Sequence, residues 1–103
     1  MEFYKDLYTG LAAGQEKDRI IKNIKKGNFQ AGVYVISLSA CKEDLLDIIP
    51  SFMLRAQRYK DLKILGIALT REEAFEVGSE IIMDVYEKTG AYDVRGYFEK
   101  ENR

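Results

Sequence analysis

No histidine and no tryptophan occur in this 103-residue sequence, and cysteine and proline occur once each. Histidine is the commonest general base and the commonest metal ligand, so its absence excludes zinc sites, Ser-His-Asp triads and Cys-His pairs within one chain. The single cysteine, Cys41, has no second thiol with which to form an intramolecular disulfide. A lone cysteine agrees with a reducing compartment.

Long apolar runs are also missing. No run approaches the roughly 20 residues that a membrane span needs, and the start of the chain lacks the charged-then-apolar order of a signal peptide. We therefore expect a cytoplasmic protein without membrane contact. A length of 103 residues, with 47% hydrophobic and 32% charged residues, suits one globular domain covering residues 1–103.

Glycine-rich turns are absent where a nucleotide would need them. A phosphate-binding turn places glycines between a strand and a helix, so that backbone amides can approach the ligand. Carboxylates stand at the two predicted helix starts instead, and they would repel a phosphate: Glu43, Asp44, Glu72 and Glu73. We expect no nucleotide and no other cofactor.

The sequence does contain alternating extended and helical patterns. Residues 32–38 and 63–69 are short apolar runs rich in β-branched residues, which predict strands covered on both faces, as in a parallel sheet. Residues 92–98 contain Asp93, Arg95 and Gly96, and this composition predicts an edge strand.

Three helical segments accompany these strands. The first covers residues 15–26, with isoleucines on one face and Gly27 as its cap. The second covers residues 42–59, where Pro50 predicts either a kink or two short helices, the second beginning near Pro50. The third covers residues 70–88 and begins with a capping box. Residues 1–10 fit either a short helix or an extended arm. The predicted fold is a small α/β domain: a mainly parallel three-stranded sheet with a βαβαβ core and an additional N-terminal amphipathic helix.

The net charge of -1 gives no reason to expect a polyanionic partner, but charges of one sign are grouped on two helices. We favour two solvated faces over two stripes that meet across a subunit or partner interface, and we expect no nucleic-acid binding. The basic stripe consists of Lys17, Arg19, Lys22, Lys25 and Lys26, and the acidic stripe consists of Glu72, Glu73, Glu76, Glu80, Asp84 and Glu87.

Polar residues near the carboxyl ends of the predicted strands are the candidate ligand-binding residues, because open α/β sheets bind ligands there. Cys41 could be a nucleophile or redox thiol at a helix start, but the adjacent carboxylates favour the neutral thiol, so we favour a structural role. Arg95 could hold a carboxylate or phosphate by bidentate hydrogen bonds, or pair with Asp93 or Glu99. The candidates are Ser39, Cys41, Thr70, Arg71 and Arg95.

Tyrosines near the termini and the predicted edge strand are candidates for an association surface, since tyrosine is enriched at interfaces. They are Tyr4, Tyr8, Tyr92 and Tyr97. Tyr34, Phe75 and Phe98 are assigned to the core instead.

Segments across most of the chain together resemble a group of short, uncharacterised bacterial α/β proteins. The segments are residues 4–8, residues 32–36, residues 66–68 with the downstream Glu72-Glu73-Ala74, and residues 93–98. The resemblance implies an α/β fold and a bacterial cytoplasmic setting, and it carries no catalytic residues.

Two functions follow as hypotheses. The first is a non-enzymatic interaction module that self-associates, with a dimer as first expectation, or binds a protein partner through an edge strand, tyrosines or the charge stripes. The second is a small-molecule-binding or catalytic domain that uses the strand ends.

Overall fold

A four-stranded mixed sheet is the centre of the computed structural model, which describes residues 1–28, 30–39, 45–56 and 59–101. The strands are β1 (Glu2–Thr9), β2 (Tyr34–Leu38), β3 (Leu46–Pro50) and β4 (Lys63–Ala68). Their spatial order is β1-β4-β2-β3. Strand β1 runs parallel to β4, whereas β2 runs antiparallel to both of its neighbours.

The α/β class is confirmed, but the prediction of three mainly parallel strands in a βαβαβ core is wrong. Residues 2–9 form a strand, which answers the question left open for the start of the chain. Strand β4 lies between β1 and β2, and five of its six residues are buried, with Lys63 half-buried. Apolar residues on both faces therefore indicated a covered strand correctly, although this pattern does not specify the direction of its neighbours.

The predicted helix over residues 42–59 is wrong in its described part. Residues 46–50 form β3, which pairs with β2, and Ser51–Arg55 form a short 3-10 helix. Pro50 lies opposite Tyr34, and the Ser51 N–H donates to the Val33 carbonyl at 2.8 Å. Because antiparallel residues alternate between bonded and non-bonded pairs, the missing N–H of Pro50 faces away from β2 and costs the ladder nothing.

The first and third predicted helices are confirmed. A short helix α1 (Leu11–Gly14) precedes α2 (Lys17–Lys25), and the long helix α3 (Arg71–Thr89) follows β4. The Thr70 hydroxyl accepts a hydrogen bond from the Glu73 N–H at 3.0 Å, which is one half of the predicted capping box. In place of the other half, in which the Glu73 carboxylate would reach back to Thr70, this carboxylate accepts from the Leu69 N–H at 2.8 Å. Glycines with φ near +80° follow α2 and α3.

The predicted strand over residues 92–98 is also wrong, because Val94–Glu101 form a helix, α4. The Asp93 carboxylate accepts a hydrogen bond from the Gly96 N–H at 3.0 Å, so Asp93 acts as the N-cap. Val94 and Phe98 are four residues apart and both buried, which is the spacing of one helix face.

The sheet separates two hydrophobic cores. On one face, α2 and the 3-10 helix cover Val35, Ile49, Ile64 and Ile67. On the other face, α3 and α4 cover Ile36, Leu38, Leu65 and Ala68. None of the helices in the described ranges is long and apolar enough to cross a membrane.

Of the three aromatic residues assigned to the core, Phe75 is the clear exception. Phe98 is fully buried and Tyr34 is half-buried, but the side chain of Phe75 is 55% exposed. Phe75 lies on the flank of α3 beside the edge strand β3, where no further described strand covers it.

Candidate functional site

The predicted ligand-binding residues do not form one site. Because β2 runs antiparallel to β4, the carboxyl end of β2 lies at the opposite end of the sheet from the carboxyl end of β4. Ser39 and Arg95 therefore lie at one end, and Thr70 and Arg71 lie at the other. Cys41 lies outside the described residues.

At the first end, Ser39 and Arg95 connect α4 to the hairpin of β2 and β3. The Arg95 guanidinium donates a hydrogen bond to the Ser39 carbonyl, and the Ser39 hydroxyl donates to the Asp47 carboxylate at 3.2 Å. Arg95 also pairs with Glu99 at 3.4 Å, which is one of the two pairings that the sequence left open. The side chains of Ser39 and Arg95 therefore have structural contacts within the chain.

At the second end, Thr70 caps α3 and Arg71 is exposed on its first turn. The Arg71 guanidinium lies over the Phe75 ring, 5.8 Å from the ring centroid, which is a cation–π contact. Arg71 also lines the open side of β3. Arg71 therefore faces an accessible cavity.

Three of the four predicted interface tyrosines belong to an aromatic cluster around Phe98. Tyr4 is 6% exposed and meets the Phe98 ring edge to face at 5.0 Å, and Tyr97 makes a similar contact at 5.0 Å. Tyr8 stacks on Tyr4 with ring centroids 6.3 Å apart. The cluster fixes α4 against β1, so these tyrosines have a packing role within one chain.

Two tyrosines of this cluster carry polar contacts at their hydroxyl ends. The Tyr8 hydroxyl donates to the Asp84 carboxylate at 2.7 Å, and burial together with this hydrogen bond raises the pKa of Tyr8 well above its usual value. The Lys88 ammonium lies 5.7 Å from the centroid of the Tyr97 ring, and a hydrogen bond with Tyr97 raises the pKa of Lys88.

Tyr92 is the exposed member of the predicted interface set. Its side chain is 52% exposed and stacks on Tyr86, with ring centroids 4.7 Å apart and an angle of 19° between the planes. Tyr86 lies on α3, so the pair extends the exposed aromatic surface of that helix. An interface role for Tyr92 stays a prediction.

The open edge of β3 is the feature that the sequence prediction missed. Bonded pairs between β2 and β3 are Val33 with Ser51, Val35 with Ile49 and Ser37 with Asp47. The backbone N–H and C=O groups of Leu46 and Ile48 consequently point away from β2, toward the side where the described residues contain no further strand.

A flank of α3 lies directly beside this edge. The position of a Cβ on Gly78 is 3.9 Å from Leu46 Cδ1, which locates the middle of α3 over the start of β3. Phe75 and Ile82 occupy the same flank at helical spacing. We call the edge and flank together the β3–α3 surface, defined by Leu46, Ile48, Arg71, Phe75 and Ile82.

A groove of about 470 Å³ runs along the β3–α3 surface, lined by Tyr34, Leu46, Asp47, Ile48, Pro50, Arg71 and Phe75. Four residues of the acidic stripe face the other way. Glu73 bonds to Ala12, Asp84 bonds to Tyr8, and Glu76 and Glu80 border Thr9 and Gly10. The flank of α3 that faces β3 is thus left uncharged apart from Arg71.

Pro50 was the signal for this surface, because proline within a strand is confined to sheet edges. The described residues contain no group of three or more carboxylate or thiol side chains arranged to hold a metal ion. Comparisons with protein-family models, with curated proteins and with solved structures found no match for this chain.

Proposed function

We propose that this chain is a non-enzymatic interaction module that self-associates as a symmetric dimer through the β3–α3 surface. The observation that carries the proposal is the open edge of β3 beside the exposed ring of Phe75, which is 55% accessible. A sheet edge with unpaired backbone groups is a template for another strand, and an adjacent apolar flank adds buried area.

The backbone of β3 suits pairing with a second copy of itself. If the twofold axis passes beside Ile48, the outward N–H and C=O groups of Ile48 meet those of Ile48 of the partner subunit. Two hydrogen bonds then form, one in each direction. The Leu46 N–H then faces the carbonyl of Pro50 of the partner subunit. Because Pro50 of the partner subunit has no N–H, the Leu46 carbonyl at the end of the ladder bonds to water instead.

Strand β3 lacks several of the features by which proteins prevent such pairing. Natural edge strands are protected by short length, proline, lysines, bulges or an inward-pointing charge, and β3 has the first two, with five residues and Pro50 at its end. Strand β3 contains no lysine, and its register against β2 is regular from Leu46 to Pro50. Its one charged residue, Asp47, bonds to Ser39.

The side chains of α3 favour the same symmetry. A twofold axis normal to the sheet places the α3 helices of the two copies antiparallel on one face of the joined sheet, with the flanks that carry Phe75 turned toward each other. The facing residues Phe75, Gly78 and Ile82 carry no charge, and four residues of the acidic stripe lie on the opposite flank. Repulsion between these carboxylates therefore does not oppose the approach, and the net charge of -1 per chain adds little.

Sedimentation velocity from micromolar to millimolar protein tests this proposal. We expect a dimer for the wild type and a monomer for Phe75→Glu, because the new carboxylate would be buried against its symmetry mate. Phe52→Glu is the matched control, since Phe52 is 60% exposed on the 3-10 helix, on the opposite face of the sheet. Circular dichroism checks that both variants fold. A monomeric wild type, or equal dissociation by both variants, contradicts the proposal.

A second candidate function is the binding of a small carboxylate in the groove of the same surface. Arg71 lies over Phe75 at one side of the groove and could hold a carboxylate by bidentate hydrogen bonds. Titration of the labelled protein with phenylacetate, followed by NMR, tests it. Saturable shifts at Phe75 and Ile48 that Arg71→Gln abolishes would support this function, and unsaturable shifts would exclude it.

A further inference from the structure

A second cavity, of about 420 Å³, lies on the face of the sheet opposite α3 and α4. It is enclosed by the start of β1, the end of α2, and the 3-10 helix with the chain that follows it. The lining residues are Met1, Phe3, Ile24, Lys25, Gly27, Leu54, Arg55, Ala56 and Lys60. None of them belongs to the β3–α3 surface.

The floor of this cavity is apolar. Ile24 and Leu54 are buried core residues, and Phe3 is a half-buried ring packed against the same core. Gly27 opens one side, because a Cβ at that position would meet no atom within 4 Å. The floor can therefore accept an aliphatic or aromatic group and remove it from water.

The rim of the cavity is positively charged. Lys25, Arg55 and Lys60 come from three separate segments, and the lining residues in the described ranges include no carboxylate although the chain contains 17 acidic residues. The Lys25 ammonium lies 5.5 Å from the centroid of the Phe3 ring, so one cation stands directly above the apolar floor. A carboxylate or phosphate at the mouth of the cavity would therefore lie near three cationic side chains.

The end of α2 points its carbonyls toward this region, which by itself disfavours an anion. These carbonyls are already used within the chain. The Lys26, Gly27 and Asn28 N–H groups donate to the carbonyls of Lys22, Ile24 and Asn23 at 3.1, 3.0 and 2.9 Å. These three carbonyls therefore have partners within the chain, and the side chains at the mouth of the cavity are cationic.

We propose that this cavity binds an amphiphilic anion, with a carboxylate or phosphate head held by Lys25, Arg55 and Lys60 and an apolar tail on Phe3, Ile24 and Leu54. The site is separate from the proposed dimer surface, and its occupation does not depend on dimerisation.

NMR titration of methyl-labelled protein tests this proposal with probes that share one tail. The probes are decanoate, decyl phosphate and decyltrimethylammonium, each below its micellar concentration. We expect saturable shifts of the Ile24 and Leu54 methyl groups with the two anions and none with the cation. The tighter of the two anions identifies the head group. Equal binding of all three probes, or shifts centred elsewhere, would overturn the proposal.

Two charge reversals on α2 distinguish binding in this cavity from a general attraction of anions to the positive charges of the protein. Lys25→Glu is expected to weaken decanoate binding about tenfold, which corresponds to about 1.4 kcal/mol. Lys22→Glu makes the same change in net charge on an exposed position of α2 that does not line the cavity, and it should leave the affinity within about twofold. Equal losses in both variants would contradict a defined site. Phe75→Glu should bind decanoate like the wild type, whatever its state of association.

Discussion

The side chain of Glu73 fills the space beside Gly10 where the Cβ of any other residue would stand. Its carboxylate accepts hydrogen bonds from the Leu69 N–H at 2.8 Å and from the Ala12 N–H at 3.0 Å. One carboxylate thus connects the end of β4 and the start of α3 to the first turn of α1. The connection requires glycine at position 10, because a Cβ there would overlap the Glu73 side chain.

Gly10→Ala should destabilise the fold by about 1–3 kcal/mol, because the added methyl group overlaps the stem of Glu73 and displaces its carboxylate. Gly78→Ala is the matched control. Its methyl group would only touch Leu46, and alanine is favoured over glycine in a helix by about 1 kcal/mol, so this variant should be more stable than the wild type. Urea unfolding measures both changes, and destabilisation of similar size in the two variants would contradict the account.

Thr70→Ala tests whether Thr70 acts as a cap. Its hydroxyl accepts the Glu73 N–H at 3.0 Å, and loss of an N-cap side chain typically costs about 1 kcal/mol. Thr70→Ser keeps the hydroxyl and should retain most of the stability. If the free energy of unfolding is the same for all three proteins, the hydroxyl does not contribute as a cap.

The burial of Tyr8 and its contact with Asp84 predict a loss of stability at alkaline pH. Both states keep the Tyr8 proton below about pH 10, the pKa of an unfolded tyrosine. Above that pH the unfolded chain releases the proton while the folded chain retains it, since the folded pKa of Tyr8 is raised. The free energy of unfolding therefore falls as pH rises, by at most about 1.4 kcal/mol per pH unit and by less for a partly exposed group.

Urea unfolding at a series of pH values around the tyrosine pKa measures this effect. Tyr8→Phe cannot ionise, so its stability should fall less steeply above about pH 10. Asp84→Asn keeps a hydrogen-bond acceptor but removes the negative charge, and its slope should lie between those of Tyr8→Phe and the wild type. Parallel curves for wild type and Tyr8→Phe would rule out Tyr8 as the source.

Local signals in the sequence predicted the elements whose ends carry their own caps. The Thr70 and Glu73 pair located the start of α3, and glycines located the ends of α2 and α3. Residues 63–68 were recognised as a buried strand because apolar residues occupy both of its faces.

The remaining errors come from patterns that fit two structures. Apolar residues at 45, 46, 49 and 52 suit a helix face, but Pro50 and the pairing of Tyr34 with Pro50 make residues 46–50 an edge strand. Residues 94–98 contain aromatic residues that suit a strand, whereas the Asp93 cap starts a helix there. The candidate ligand site was divided for a tertiary reason: the direction of β2 is set by its pairing with β4, which no local pattern encodes.

Isotope-filtered NOE spectroscopy on a mixture of labelled and unlabelled protein tests the central claim, that two copies pair through β3, most directly. With Ile48 facing its symmetry mate, the Hα of Asp47 in one subunit lies close to the Hα of Ile49 of the partner subunit, because these residues form a non-bonded pair of the new ladder. We expect this intermolecular NOE in the wild type and its loss in Phe75→Glu. A monomer at millimolar concentration, or a dimer whose intermolecular NOEs lie away from β3, would contradict the account.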